Sequence, residues 1–159
     1  MSIIRARNHY NPIDTGQNII ISHRDFCPHW ERVARGKTIH IWRSDKDNNS
    51  CEFVASGSIG YIPTQHLVVH YKDGESLTKM NVSIEDIAQF SMGTDPLLIH
   101  CTAGQTRSPT IAIIAKVVRG VSVYQALGEI LKANWETRAV VSNFCLTPIA
   151  EILTWAETY

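Results

Sequence analysis

The chain has 159 residues, the size of one compact domain. Lys and Arg number 15, as do Asp and Glu, so the formal charge is zero and no basic excess points to nucleic acid as a partner. The apolar content, 44%, suffices for a core without structural metals or disulfides.

No run of about 18 apolar residues exists, which argues against a transmembrane helix or membrane partner. The first residues, Met1 to Arg7, lack the charged-then-apolar order of a secretory signal. These features predict one domain over residues 1–159, cytoplasmic and monomeric. The cysteines, Cys27, Cys51, Cys101 and Cys145, show no C-x-x-C pair and predict no disulfide framework. His23, Cys27 and His29 match no common zinc spacing and lack a second ligand pair, so no metal or cofactor is expected.

In chain order, Ile19–Ile21 predicts an edge strand. Asp25–Arg35 predicts a helix with Trp30, Val33 and Ala34 on one face. Thr38–Trp42 is a short β-type run, followed by a polar loop at Asp45–Ser50 and a glycine-bearing connection at Gly57–Gly60. His66–Tyr71 predicts another strand. Ser83 opens a helix as N-cap, with Asp86 three residues on in a near match to a capping box. Pro96–His100 predicts a strand bounded by Asp95-Pro96. From Ser108 a helix carries Ile111, Ile113, Ile114, Val117 and Val118, apolar nearly all round and so buried, with Gly120 as its stop. Ser122 caps a helix to about Ala133, and Leu146–Trp155 predicts the last one. The alternation predicts an α/β fold with a central, mainly parallel sheet of four to five strands flanked by helices. Ligands in such sheets bind beyond the carboxyl ends of the strands.

The turn after His100 is such a place. Cys101 and Arg107 bracket Thr102, Ala103, Gly104, Gln105 and Thr106. A loop of this length can turn successive backbone N–H groups inward to cradle an anion, and Gly104 permits the angles that a tight loop requires. The following helix adds the positive end of its dipole, with Pro109 in a first turn where its missing N–H costs nothing. The nest, the helix end and Arg107 all favour the thiolate form of Cys101. The Arg107 guanidinium can clasp two phosphate oxygens, placing phosphorus beside the sulfur for in-line attack. Ser108 is placed to donate to the sulfur when it leaves.

The segment His100-Cys101-Thr102-Ala103-Gly104-Gln105-Thr106-Arg107-Ser108 resembles the His-Cys-x-x-Gly-x-x-Arg-Ser/Thr loop of the protein tyrosine phosphatase superfamily, and the short chain is similar to its dual-specificity branch. The resemblance implies a phosphocysteine intermediate and an aspartate on an upstream loop as general acid. Asp73, just past the strand ending near Tyr71, is the candidate, with Gly74 beside it as a hinge and Glu75 as the alternative. Asp86 lies within a predicted helix. His100 is implied to support the loop by hydrogen bonding. Arg138–Phe144 is similar to a later family segment in which an asparagine after a proline helps hold the loop; Asn143 matches it, with Ser142 in the proline's place. The last-helix N-cap is the other reading of Asn143. His40, His66 and His70 read as packing or surface histidines.

No Lys or Arg lies between Cys101 and Arg107, which favours a phosphomonoester of modest charge. The implied substrate is a phosphorylated protein, through phosphotyrosine and phosphoserine or phosphothreonine, or a small phosphomonoester. A sulfurtransferase carrying a persulfide on Cys101 and an arsenate reductase are rival enzymes using the same thiolate loop. A weakly catalytic phospho-binding module is the rival outside enzymology.

Overall fold

The computed structural model describes residues 12–23, 36–42, 65–72, 74–101, 107–137 and 146–159. The predicted helix at residues 25–35 and the connections at 45–50 and 57–60 lie outside them. The elements are β1 (Ile13–Asp14), β2 (Ile19–His23), β3 (Lys37–Trp42), β4 (Gln65–His70), α1 (Ile84–Ser91), β5 (Leu97–Cys101), α2 (Arg107–Val118), α3 (Val123–Thr137) and α4 (Leu146–Thr158).

The five strands run in the order β1-β2-β5-β3-β4. β2, β5, β3 and β4 are mutually parallel, and β1 closes one edge antiparallel. The Ile19–Ile21 run is therefore an interior strand rather than the expected edge. The two-residue β1 takes the edge because the turn at residues 15–18 folds it back onto β2. Gln17 and Asn18 hold left-handed backbone there, with φ of 54° and 58°.

Strand alternation gives the sheet two unlike faces. One carries Ile19, Ile21, Ile39, Ile41, Val69, Leu97, Ile99 and Cys101, all buried in one apolar cluster with the helices. The other carries Ser22, Thr38, His40, Trp42 and His100, also buried. α2 is the central helix, packing on β2 and β5 and against α1, α3 and α4. Every residue from Arg107 to Lys116 is buried, as its all-round apolar pattern requires.

The ends of the helices follow their chemistry. The Ser83 hydroxyl accepts from the Asp86 amide to cap α1, and the Ser122 hydroxyl accepts from the Gln125 amide ahead of α3. Gly120, at φ 103°, ends α2: its amide bonds the Val117 carbonyl and the Val121 amide reaches back to Lys116. Gly36 permits a close approach before β3. A Cβ there would stand 2.2 Å from the Pro96 carbonyl oxygen, which already accepts from the Lys37 amide at 2.8 Å.

Charge also enters this packing. The fully buried Lys116 ammonium donates to the Thr15 carbonyl, to Gln17 Oε1 at 2.6 Å and to Glu129 Oε1 at 3.0 Å. Burial pushes its amine down, against the opposing pull of Glu129. Lys116 thereby ties the β1–β2 turn to α2 and α3. Among the described residues, no helix is long and apolar enough to cross a membrane.

Candidate active site

Among the described residues, β5 is the last strand in sequence and the middle one in the sheet, inserted between β2 and β3. Its carboxyl end is the usual ligand position in parallel sheets. Cys101 ends β5, aligned with His23 at the end of β2. Arg107 opens α2 directly beyond the connecting loop. The strand and helix thus bring the two residues to one junction.

Cys101 is 3% exposed and Arg107 6% exposed. Cys101 carries a thiol rather than a disulfide. A guanidinium this deeply buried requires compensation, and the site at a helix N-terminus is suited to an anion. Ser108 is fully buried in the same first turn, and its hydroxyl has no hydrogen-bond partner among the described residues. His100 is buried on the opposite sheet face from Cys101. The remaining predicted loop residues, Thr102, Ala103, Gly104, Gln105 and Thr106, lie outside the described residues, as do Asp73 and Asn143.

The segment after β4, where Asp73 falls in sequence, is anchored on both sides of that position. The Tyr71 amide bonds the Trp42 carbonyl at 2.8 Å. The buried Tyr71 hydroxyl donates to the Glu75 carbonyl at 2.7 Å, and Gly74 holds φ 74°. Glu75, the alternative acid, is exposed. Glu151 of α4 grips the next turn. Its carboxylate accepts from Ser76 Oγ at 2.7 Å, the Leu77 amide at 2.6 Å and the Thr78 amide at 3.1 Å. Burial pushes the Glu151 carboxyl up, but these bonds outweigh it and hold the group below the usual carboxylate range. Nothing in the sequence pattern marks Glu151, because its partners lie some seventy residues away.

A second feature escapes the sequence. His40 is not an isolated packing residue. Its Nδ1 lies 2.7 Å from His100 Nε2, and its Nε2 lies 2.9 Å from His66 Nδ1. Three adjacent strands each contribute one ring. The only signal available was three histidines in three separate β-type runs.

No protein-family model matches the sequence, and no curated protein is similar to it. Solved structures do share the fold. Cydia pomonella PTP-2 phosphatase is 20% identical with a TM-score of 0.58, over 92% of this chain and 89% of that one. Tk-PTP, solved in its active form, is 17% identical with a TM-score of 0.57, over 92% and 96% of the two chains. PTPMT1 is 14% identical with a TM-score of 0.61, over 93% and 95%. The chain therefore has the α/β fold of dual-specificity and tyrosine phosphatases along nearly its whole length.

Proposed function

We propose that this protein is a cysteine-dependent phosphomonoester hydrolase working in the cytoplasm as a monomer, with phosphotyrosine and phosphoserine or phosphothreonine in proteins as its substrates. The observation that carries the reading is the β5–α2 junction. A buried thiol ends the central strand and a buried guanidinium opens the central helix, joined by a loop that matches the phosphatase signature in sequence, in a chain with the phosphatase fold.

In the first step the Cys101 thiolate attacks phosphorus while Arg107 and the loop amides of residues 102–106 hold the equatorial oxygens. The ester P–O bond breaks, and Asp73 gives its proton to the leaving oxygen. In the second step water attacks the phosphocysteine and yields a proton to the Asp73 carboxylate. The S–P bond breaks, and Ser108 stabilises the departing thiolate by donating a hydrogen bond. His100 and Asn143 support the loop. PTPMT1 has also been solved in complex with PI(5)P; the loop of this chain carries no Lys or Arg between Cys101 and Arg107, which favours a less charged substrate.

Hydrolysis of para-nitrophenyl phosphate tests the reading. The native protein is expected to turn over in the presence of a metal chelator, and Cys101→Ser to lose essentially all activity. Asp73→Asn is expected to lose about 10²-fold or more in kcat. Undiminished turnover in Cys101→Ser would overturn the nucleophile. A native-like Asp73→Asn beside a crippled Glu75→Gln would move the acid to Glu75. Persulfide transfer or arsenate reduction without phosphate release would replace the phosphatase reading altogether.

A further inference from the structure

The polar face of the sheet holds a chain of imidazoles. His40 and His100 are register partners on β3 and β5, buried to 0% and 1% exposure. Their rings meet at 88° with centroids 4.7 Å apart, and a nitrogen of each lies 2.7 Å from the other. His66 of β4 is half-buried. Its ring lies within 25° of parallel to that of His40, centroids 5.1 Å apart. With nitrogens 2.9 Å apart, these two rings meet edge to edge.

Proton counting on this chain is restrictive. Each N···N contact at these distances holds one proton. Three neutral imidazoles carry three N–H protons, so two occupy the contacts and the third has two possible places, His66 Nε2 or His100 Nδ1. If it is on His66, His100 Nδ1 is an acceptor. If it is on His100, Nδ1 is a donor. A fourth proton places N–H groups at both ends and makes the chain a cation. His100 therefore cannot change tautomer without His40 and His66 changing with it.

We propose that His40 and His66 are positioning residues that act with His100 as one proton-sharing chain and thereby set the reactivity of the adjacent Cys101. The inference rests on Cys101 being the nucleophile of the proposed reaction. Among the described residues, the titratable groups facing the chain are few. β4 adds His70, which meets Trp42 edge-on at 5.8 Å rather than joining the chain. β5 adds Cys101 on its other face, and α2 adds Arg107 at the junction. Asp14 shares the polar face but sits on β1, separated from β3 by β2 and β5. The half-buried His66 is the chain's more accessible end, and a proton taken up there is shared inward without crossing the core. A cationic chain favours the thiolate of Cys101, and loss of a protonatable ring disfavours it.

The test reads Cys101 itself. Alkylation by iodoacetamide is followed across pH by mass spectrometry of the Cys101 peptide, in the native protein, His66→Gln, His40→Asn and His70→Gln. In His66→Gln the pH of half-maximal reactivity is expected to rise by about half a unit or more, while His70→Gln leaves it in place. His40→Asn alters a fully buried position, so its result counts only where the near-UV circular dichroism is native. His66 is half-buried, and its variant keeps the proposal falsifiable. An unmoved or lowered midpoint in a folded His66→Gln overturns the chain. A second readout is ¹⁵N spectroscopy of labelled imidazoles: the His100 nitrogens are expected to shift in His66→Gln, and unchanged His100 signals also overturn it. Neither readout requires turnover, so a native protein inactive on phosphomonoesters would sink the phosphatase reading and leave this result standing or falling by itself.

Discussion

Ser108 is the residue at which stability and the proposed function make opposite demands. Its hydroxyl is fully buried and lacks a hydrogen-bond partner among the described residues. A buried hydroxyl left so costs about 1–3 kcal/mol, so alanine there is expected to be neutral or stabilising. The proposed role makes the catalytic prediction different. Ser108→Ala is expected to slow hydrolysis of the phosphocysteine about tenfold or more while sparing its formation. Rapid-mixing kinetics would then show a burst of para-nitrophenol followed by a slow steady state. A variant with no burst and native turnover would remove Ser108 from the second step. Arg107 differs, because its proposed role is to pair two phosphate oxygens at once with its planar fork, a geometry that a lysine cannot reproduce.

At the scale of elements, the helices hold the site by reaching far along the chain. α4 lies at the far end of the sequence, yet Glu151 accepts three hydrogen bonds from the turn at Ser76–Thr78. That turn follows the segment in which Asp73 falls, whose other side is tied by Tyr71. Glu151→Ala would strip the acceptor from two backbone amides, and a loss of about 1–2 kcal/mol is expected. The catalytic consequence is more specific. An acid that protonates the leaving oxygen matters most for poor leaving groups. Glu151→Ala is therefore expected to lower kcat several-fold more on an alkyl phosphate than on para-nitrophenyl phosphate. Equal losses on both would make Glu151 a purely structural clamp. Lys116 plays the corresponding part at the opposite edge of the sheet, joining the β1–β2 turn to α2 and α3.

At the scale of the whole molecule, these clamps make stability depend on acidity. Burial pushes the Glu129 carboxyl up, but bonds from Gln17, Lys116 and Gln125 outweigh it, so the group sits below its ordinary value, as does Glu151. A carboxylate depressed on folding contributes stability that is present above its unfolded value and lost as pH falls through its folded value. Both groups therefore favour the folded state at neutral pH and cease to do so in acid. The melting temperature is expected to fall from pH 7 towards pH 3, with a shallower fall in Glu151→Gln and Glu129→Gln. A profile of the same slope in both variants would show that other groups govern acid unfolding.

Much of the architecture was legible along the chain because it rests on local patterns. Short apolar runs marked β3, β4 and β5. Ser83 and Ser122 marked helix starts, and Gly120 a stop. The apolar pattern after Ser108 marked the buried central helix. The helix ends were less legible: α3 runs to Thr137 and α4 to Thr158, beyond the last strongly patterned residues, because backbone hydrogen bonds carry a helix on where the apolar pattern no longer marks it. The order of strands was not legible at all. Ile19–Ile21 reads as an edge strand in the sequence, and only pairing with β5 on one side and β1 on the other makes it interior.

The β5–α2 junction divides in the same way. The expectation for Cys101, Arg107 and Ser108 could be written from sequence because strand, loop and helix are consecutive, so their spacing is recorded along the chain. The tertiary structure alone decided that β5 lies at the middle of the sheet. It also decided that Glu151 holds the turn beside the segment in which Asp73 falls, and that His40 meets both His66 and His100. These depend on contacts between residues 26 to 75 positions apart. No periodicity or spacing records such contacts, because they exist only once the sheet has assembled.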